Sequence, residues 1–177
     1  MRLIIYLTLI ACWTTNNYVA YAQESNPLVD WYGTWQGDLQ ITTPEGKIQK
    51  IPMELQIYPT DSTGYYRFSI LYNQSPRHYV LQEVDVSKGH YVMDEKNGIL
   101  LDTYLINHTF ISQFEVMGNL LTSSYELQAD RQAIISTIYS SGTKVIRTTG
   151  NRPEEDIPVV RSFPIKVQQR ATLSKKK

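Results

Sequence analysis

The feature that most constrains the fold is a period-two alternation of apolar and polar residues along the body of the chain. In segment 51–58 apolar side chains occupy every second position, and segment 121–128 repeats the pattern with hydroxyl and aromatic residues among them. Successive side chains of a strand point to opposite faces of a sheet, so this pattern is typical of half-buried strands. No stretch of the body sustains a 3.6-residue period. The sequence therefore predicts an all-β protein.

The alternating segments are separated by short turns, which favours neighbouring strands that run antiparallel in an up-and-down meander. Closing such a sheet removes its two exposed edges. We therefore predict a closed or nearly closed barrel of about eight to ten strands, with a β-sandwich as the alternative. The predicted strands span residues 34–42, 48–58, 65–72, 78–86, 90–94, 99–106, 109–117, 120–128 and 132–140, with 143–148 as a candidate tenth.

Turn chemistry predicts the register of three hairpins. A turn at 61–64 and a two-residue turn at 107–108 each place apolar side chains opposite one another. A two-residue turn at 118–119 places Ser112 directly opposite Tyr125 and keeps the polar side chains of both strands on the other face.

The N-terminus has the pattern of a secretory signal. Leu3–Trp13 is an apolar run broken only by a threonine, and Ala20-Tyr21-Ala22 has the small residues of a cleavage site. The run is too short for a spanning helix, which needs roughly twenty residues. We therefore expect cleavage before Gln23 and export to a periplasmic, extracellular or cell-surface location. Leu9-Ile10-Ala11-Cys12 also resembles a lipobox, so a lipoprotein anchored through Cys12 is the alternative.

The predicted domain organisation is a signal peptide at 1–22, a barrel at 23–150 and a C-terminal segment at 151–177. That last segment contains three prolines and ends in three lysines, so we expect an extended strap followed by a basic tail. Cys12 is the only cysteine, which excludes disulfides and thiolate zinc sites from the exported chain. The body has no basic stripe with interleaved aromatic residues, so nucleic acid is not an expected partner.

Trp31-Tyr32-Gly33-Thr34-Trp35-Gln36-Gly37 resembles the G-x-W signature that opens the first strand of lipocalins and other calycin-type barrels. Gly33 and Trp35 match the two motif positions. The resemblance implies a barrel that holds a ligand, with Trp35 closing its floor. It identifies no particular ligand.

No motif of catalytic or cofactor chemistry is present, so the sequence predicts no enzyme and no cofactor. His78 and His90 lie in similar strings, but the expected register separates them by seven residues of strand, roughly 23 Å at about 3.3 Å per residue. His108 belongs to a turn. We therefore expect no metal site. Asp85 lies opposite His90 in the same register, and we expect a surface pair between them.

A row of hydroxyl groups on the predicted inner face is the candidate site. Small-molecule sites are mostly apolar with a few fixed polar groups, and a hydroxyl row among apolar side chains fits that description. The alternative is that these hydroxyls satisfy one another. The candidate ligand-binding residues are Thr103, Ser112, Ser123, Tyr125, Phe110 and Phe114.

Two functions follow from these observations. The first is an exported, non-enzymatic binding protein whose lipocalin-like barrel holds a small hydrophobic or amphipathic ligand. The second is an interaction module with a filled core that binds another protein or a surface polymer through its tail or its outward side chains, which include Tyr58, Leu100, Tyr104 and Ile106. Interior volume distinguishes the two, because a filled core leaves no room for a ligand.

Overall fold

The computed structural model describes residues 26–177. Three short 3-10 segments cover Val29–Trp31, Val86–Lys88 and Pro153–Glu155. The strands are β1 (Gly33–Thr42), β2 (Ile48–Pro59), β3 (Tyr65–Tyr72), β4 (Ser75–Asp85), β5 (His90–Asp94), β6 (Leu100–Ile106), β7 (Thr109–Val116), β8 (Asn119–Leu127), β9 (Gln132–Ser141), β10 (Arg147–Arg152), β11 (Ile157–Ser162) and β12 (Ile165–Lys175).

Ten of these strands form one closed antiparallel barrel, in which β1 to β9 follow in sequence order and β12 pairs with both β9 and β1. The prediction of an all-β, antiparallel barrel is confirmed, and the sandwich alternative is wrong. Every strand of this sheet pairs with two neighbours, so the sheet has no edge strand, as expected for a stable meander.

The prediction that 151–177 forms a strap with a loose basic tail is wrong, because β12 is the strand that closes the barrel. Leu39 pairs with Ala171 and Trp35 with Lys175 along the closing seam. At Gly37, an added Cβ would lie 2.2 Å from the backbone oxygen of Thr172, so the close approach of the two strands requires glycine there.

The candidate tenth strand at 143–148 also needs correction. The chain there enters a separate two-stranded hairpin of β10 and β11, in which Thr149 pairs with Val160. This hairpin projects from the connection between β9 and β12 and takes no part in the barrel sheet.

Two of the three predicted hairpin registers are confirmed. Leu55 pairs with Ile70, and Leu105 pairs with Phe110. The third is wrong by two residues. The turn comprises Met117 and Gly118, both with positive φ (49° and 70°), and Ser112 therefore pairs with Ser123. A shift of two residues leaves every side chain on its predicted face, since the strand period is two.

One end of the barrel is filled by large apolar side chains, and we call it the closed end. Trp35 is fully buried there, as predicted, and its indole Nε1 donates a hydrogen bond of 2.8 Å to the backbone oxygen of Trp31. The Trp31 ring packs against the rings of Trp35 and Phe110, with centroids 6.1 and 6.0 Å away. Lys175 Nζ lies 5.0 Å from the centre of the Trp35 ring, a cation–π contact from the closing strand.

The predicted signal segment 1–22, with Cys12 and the cleavage site before Gln23, lies outside the described residues. Within the described part of the chain, no helix has both the length and the apolar character needed to cross a bilayer.

Candidate functional site

The opposite end of the barrel, which we call the open end, carries the connections that follow β1, β3, β5, β7 and β9. The β10–β11 hairpin departs from the same end. Aromatic packing of the kind that fills the closed end does not continue here. The interior instead contains a cavity of about 170 Å³.

The cavity wall combines apolar and aromatic side chains with hydroxyl groups, and its residues come from eight strands. Strands β3 to β9 contribute all but two of the lining residues, and β12 and the β5–β6 turn contribute one each. The wall consists of Ile70, Tyr72, Tyr79, Met93, Glu95, Leu101, Ser112, Phe114, Leu121, Ser123, Tyr125, Thr137, Tyr139 and Gln169. This mixture fits the composition of small-molecule sites.

Most of the small hydroxyls of the wall are paired with each other. Thr103 Oγ1 and Ser112 Oγ are 2.6 Å apart, and both residues are buried. Ser123 Oγ and Thr137 Oγ1 are 2.9 Å apart across β8 and β9. The predicted hydroxyl row is therefore real, but two neighbouring pairs satisfy its serine and threonine members.

Tyr125 differs from these residues, since none of the hydrogen bonds found among residues 26–177 involves its hydroxyl. Its ring meets Phe68 edge to face at 5.3 Å, and its side chain lines the cavity. Burial, reinforced by the nearby groups Tyr72 and Tyr79, raises the pKa of Tyr125 well above its usual value. At neutral pH this hydroxyl is protonated and free to donate into the cavity.

Three further tyrosines surround the outer part of the cavity. Burial raises the pKa of Tyr72 to about 12, with smaller contributions from Tyr79 and Tyr139. Burial also raises the pKa of Tyr79, and the negative charge of Glu95 adds to that effect. The hydroxyls of Tyr72 and Tyr79 are therefore neutral donors across the physiological pH range.

The structure brings four of the six predicted site residues together on the cavity wall: Ser112, Phe114, Ser123 and Tyr125. Thr103 is not on the wall, but its Oγ1 lies 2.6 Å from Ser112 Oγ and donates to the backbone oxygen of Leu101 at 3.3 Å. Phe110 lies deeper, in the aromatic packing of the closed end, 5.4 Å from the Tyr91 ring. These two residues form the floor beneath the site rather than its lining.

Sequence reasoning missed Tyr72, Tyr79, Tyr139 and Gln169. Tyr79 lies in β4, where apolar residues occur on both faces and the inner side was not assignable. Gln169 belongs to β12, which was assigned to the strap. The signal that could have found Tyr139 is its place in the alternation of β9, where it follows Thr137 and Ile135 on the inner face.

The three histidines take no part in this site. His90 lies opposite Asp85 as predicted, but its imidazole Nε2 is 2.7 Å from Asp102 and its ring stacks on Tyr104. Asp85 instead accepts hydrogen bonds from Ser87 and Lys88, both at 2.6 Å. Among residues 26–177, no group of three or more His, Cys, Asp or Glu side chains is arranged to hold a metal ion.

No family model matches this sequence, and no curated protein matches it significantly. Solved structures do match its fold. One is a protein of unknown function of the DUF3598 family from Nostoc punctiforme, with a TM-score of 0.60, 9% identity and 83% of this chain covered. The match covers 48% of that protein, so this chain spans about half of its length. Another is the S-type phycobiliprotein lyase CpeS from Guillardia theta, with a TM-score of 0.55, 7% identity, and 84% of this chain and 89% of that one covered.

These matches support a calycin-like barrel, in agreement with the resemblance at Gly33 and Trp35. They also correct one expectation. The prediction that the chain is not an enzyme is contradicted, because a protein with this fold is named a lyase. The absence of a recognisable catalytic motif therefore does not exclude enzymatic chemistry for a barrel of this type.

Proposed function

We propose that this chain binds a small amphipathic molecule in the cavity at the open end of its barrel. The observation that carries the proposal is the half-buried Tyr125 side chain, whose hydroxyl has no hydrogen-bond partner among the described residues, beside neighbours on the cavity wall whose hydroxyls are paired. An acceptor on a ligand would give this hydroxyl a hydrogen bond, worth about 0.5–1.5 kcal/mol net.

The size of the cavity constrains how a ligand fits. Ligand pockets commonly measure about 300–1,000 Å³, whereas this cavity measures about 170 Å³. A ligand therefore places one end among Leu101, Phe114 and Leu121, while the rest emerges at the open end. The existence of the cavity argues against a filled core, on which the interaction-module function depended.

The wall also indicates which chemical groups are favoured. The hydroxyls of Tyr72, Tyr79 and Tyr125 are protonated donors at neutral pH, so they favour a ligand that carries an acceptor such as a carbonyl oxygen. Glu95 is a carboxylate on the wall, and its negative charge disfavours an anionic group beside it. A neutral, partly aromatic or aliphatic molecule with an acceptor near its buried end fits best.

The lyase name of one structural neighbour bears on this proposal only through the fold. Binding of a small molecule inside the barrel is a step that a carrier and a lyase of this architecture both require. The proposal therefore concerns the binding step, and any chemistry on the bound molecule would use the same cavity.

We also propose that the chain is exported, on the basis of the apolar run Leu3–Trp13 and the Ala20-Tyr21-Ala22 site. Intact-mass measurement of the protein recovered from its native source tests this. A chain beginning at Gln23 supports export of a free protein. A product that begins at a lipidated Cys12 contradicts export of a free protein, and so does a product that retains residue 1.

Recovery of the bound molecule tests the binding proposal. The protein is purified from its native source, denatured, and the released small molecules are identified by mass spectrometry and titrated back. We expect one compound at near-stoichiometric amount with an acceptor group and an apolar portion. The proposal fails if no compound co-purifies and a structure determined at high resolution has its interior filled by side chains.

A further inference from the structure

A second concave region lies at the closed end, on the far side of the aromatic core from the cavity. It is a cleft of about 980 Å³ between the segment that precedes β1 and the turn that follows β4. Its polar lining includes Asn26, Tyr66, Glu83, Lys88 and Tyr91. None of these residues lines the open-end cavity.

Glu83 provides a negative charge in this cleft without a matching cation. Its Oε1 accepts a hydrogen bond of 2.6 Å from the Tyr66 hydroxyl. Among residues 26–177, no lysine, arginine or histidine nitrogen lies within salt-bridge distance of Glu83. Lys88, the nearby base, is bound to Asp85 at 2.6 Å, so its charge is already neutralised.

Tyr91 supplies an independent sign of a missing partner. The residue is fully buried, it lines the cleft, and its hydroxyl has no hydrogen-bond partner in the described part of the chain. Tyr91 pairs with Glu83 across β4 and β5, which places both side chains on the inner face at this end. Burial, followed by the charge of Glu83, raises the pKa of Tyr91 to about 12, so its oxygen is a neutral group at physiological pH.

The opposite wall of the cleft is held in place by Asn26. Its side-chain nitrogen donates to the hydroxyl of Tyr66 at 2.9 Å and to that of Tyr32 at 3.1 Å. The two tyrosine rings lie 6.2 Å apart. The Tyr66 hydroxyl accepts a hydrogen bond from Asn26 and donates one to Glu83. The second carboxylate oxygen of Glu83 is therefore left to accept from another donor.

We propose that this cleft is a second binding site, specific for the primary ammonium group of a small organic cation. Glu83 is the counter-ion, and Tyr91 Oη is an additional acceptor. A primary ammonium donates N–H hydrogen bonds to both acceptors. A quaternary ammonium has the same charge but no N–H group, so it fits less well. A divalent metal does not fit, because a single carboxylate is too few ligands for a hard cation.

The test uses butylammonium and tetramethylammonium as probes, titrated into the isotopically labelled full chain while its amide signals are followed by NMR. We expect saturable shifts confined to residues near 64–66 and 83–91, with butylammonium binding more tightly than tetramethylammonium. Equal affinity for the two probes, or no saturable shift at millimolar concentration, would overturn the proposal.

Three variants sharpen the result. Glu83→Gln keeps an acceptor for Tyr66 but removes the charge, and should weaken butylammonium binding by about tenfold or more. Tyr91→Phe keeps the ring and should weaken it several-fold. Glu126→Gln removes an exposed carboxylate from the outer face of β8 and should leave binding unchanged, as should Tyr125→Phe in the other cavity. Retained affinity in both Glu83→Gln and Tyr91→Phe would contradict the site.

Discussion

The two ends of this barrel are built from the same inward-facing alternation and yet serve different purposes. At the closed end, the rings of Trp31, Trp35 and Phe110 pack against one another. At the open end, the same strands present Ser112, Ser123 and their neighbours around a cavity. Large apolar side chains maximise burial and stability, whereas small hydroxyl residues give up volume and leave space for a ligand.

The two ends differ in side-chain size and hydrogen bonding, and β6 pairs with β7 only toward the closed end. Along β7, Phe110 belongs to the packed core, and Ser112 and Phe114 line the cavity. Along β8, Tyr125 carries its ring against Phe68 and its hydroxyl toward the cavity. A boundary between a stabilising layer and a binding layer therefore crosses these two strands, and substitutions on its two sides should have different consequences.

The largest effect is expected at the closed end. Trp35→Ala should lower the free energy of unfolding by about 3–5 kcal/mol, because it removes a fully buried ring and its hydrogen bond to Trp31. Chemical denaturation followed by far-UV circular dichroism measures this. An unchanged denaturation midpoint would show that the closed end does not anchor the fold.

Alkaline pH should destabilise the protein through the open end. Tyr72 stays neutral up to a pKa of about 12 in the folded chain, whereas its ordinary value is 10.0. The unfolded chain therefore loses this proton at a lower pH than the folded chain does. The contribution of Tyr72 to stability is complete below pH 10 and is lost as the pH rises to about 12, a loss on the order of 2 kcal/mol. Urea titrations across this range check it.

Tyr72→Phe should reduce that alkaline loss, because the variant has no proton to release at this position. Tyr58→Phe makes the same substitution on the outer face of β2 and is the control with which Tyr72→Phe is compared. If Tyr72→Phe follows the wild-type curve, the open-end tyrosines are not buried as described.

A smaller effect is expected at the boundary between the two layers. Thr103→Val keeps the shape of the buried side chain but removes the partner of Ser112, 2.6 Å away. Loss of one partner of a buried pair should cost about 1–3 kcal/mol. Thr103→Val combined with Ser112→Ala should recover part of that loss, since neither buried hydroxyl is then unpaired. Equal or greater destabilisation by the double variant would contradict this pairing.

The smallest effect is expected for Tyr125→Phe. The ring and its contact with Phe68 remain, so the free energy of unfolding should change little. Affinity for the recovered ligand should fall by about 0.5–1.5 kcal/mol, the usual net contribution of one hydrogen bond. Isothermal titration of both proteins measures it, and a stability loss without any change in affinity would place Tyr125 in the stabilising layer instead.

The closed end was more predictable from sequence than the open end, for physical reasons. Trp35 was placed correctly because it is a large apolar residue within a short motif and follows the inward-facing alternation of its strand. The turn at 107–108 fixed its register because two residues with positive φ connect strands of clear alternation. At 117–118 the adjacent glycine allowed two nearby turns, and alternation alone does not distinguish registers that differ by two.

The cavity was only half predictable. Ser112, Phe114, Ser123 and Tyr125 were found because their strands alternate clearly. Gln169 was missed because the inner face of β12 carries small and polar residues, such as Ala171, that give no apolar signal. Whether a barrel interior is filled depends on the number of strands. The closing strand β12 was not predicted, because the prolines of 151–164 indicated an extended strap.

The central claim is that the open-end cavity is a ligand site, and filling it tests the claim most directly. Leu121 lines the cavity from β8, and its sequence neighbour Leu120 lies on the outer face. We expect Leu121→Trp to abolish binding of the recovered ligand while the protein remains folded, and Leu120→Trp to bind like the wild type, both measured by isothermal titration. Undiminished affinity in a folded Leu121→Trp protein would contradict the account.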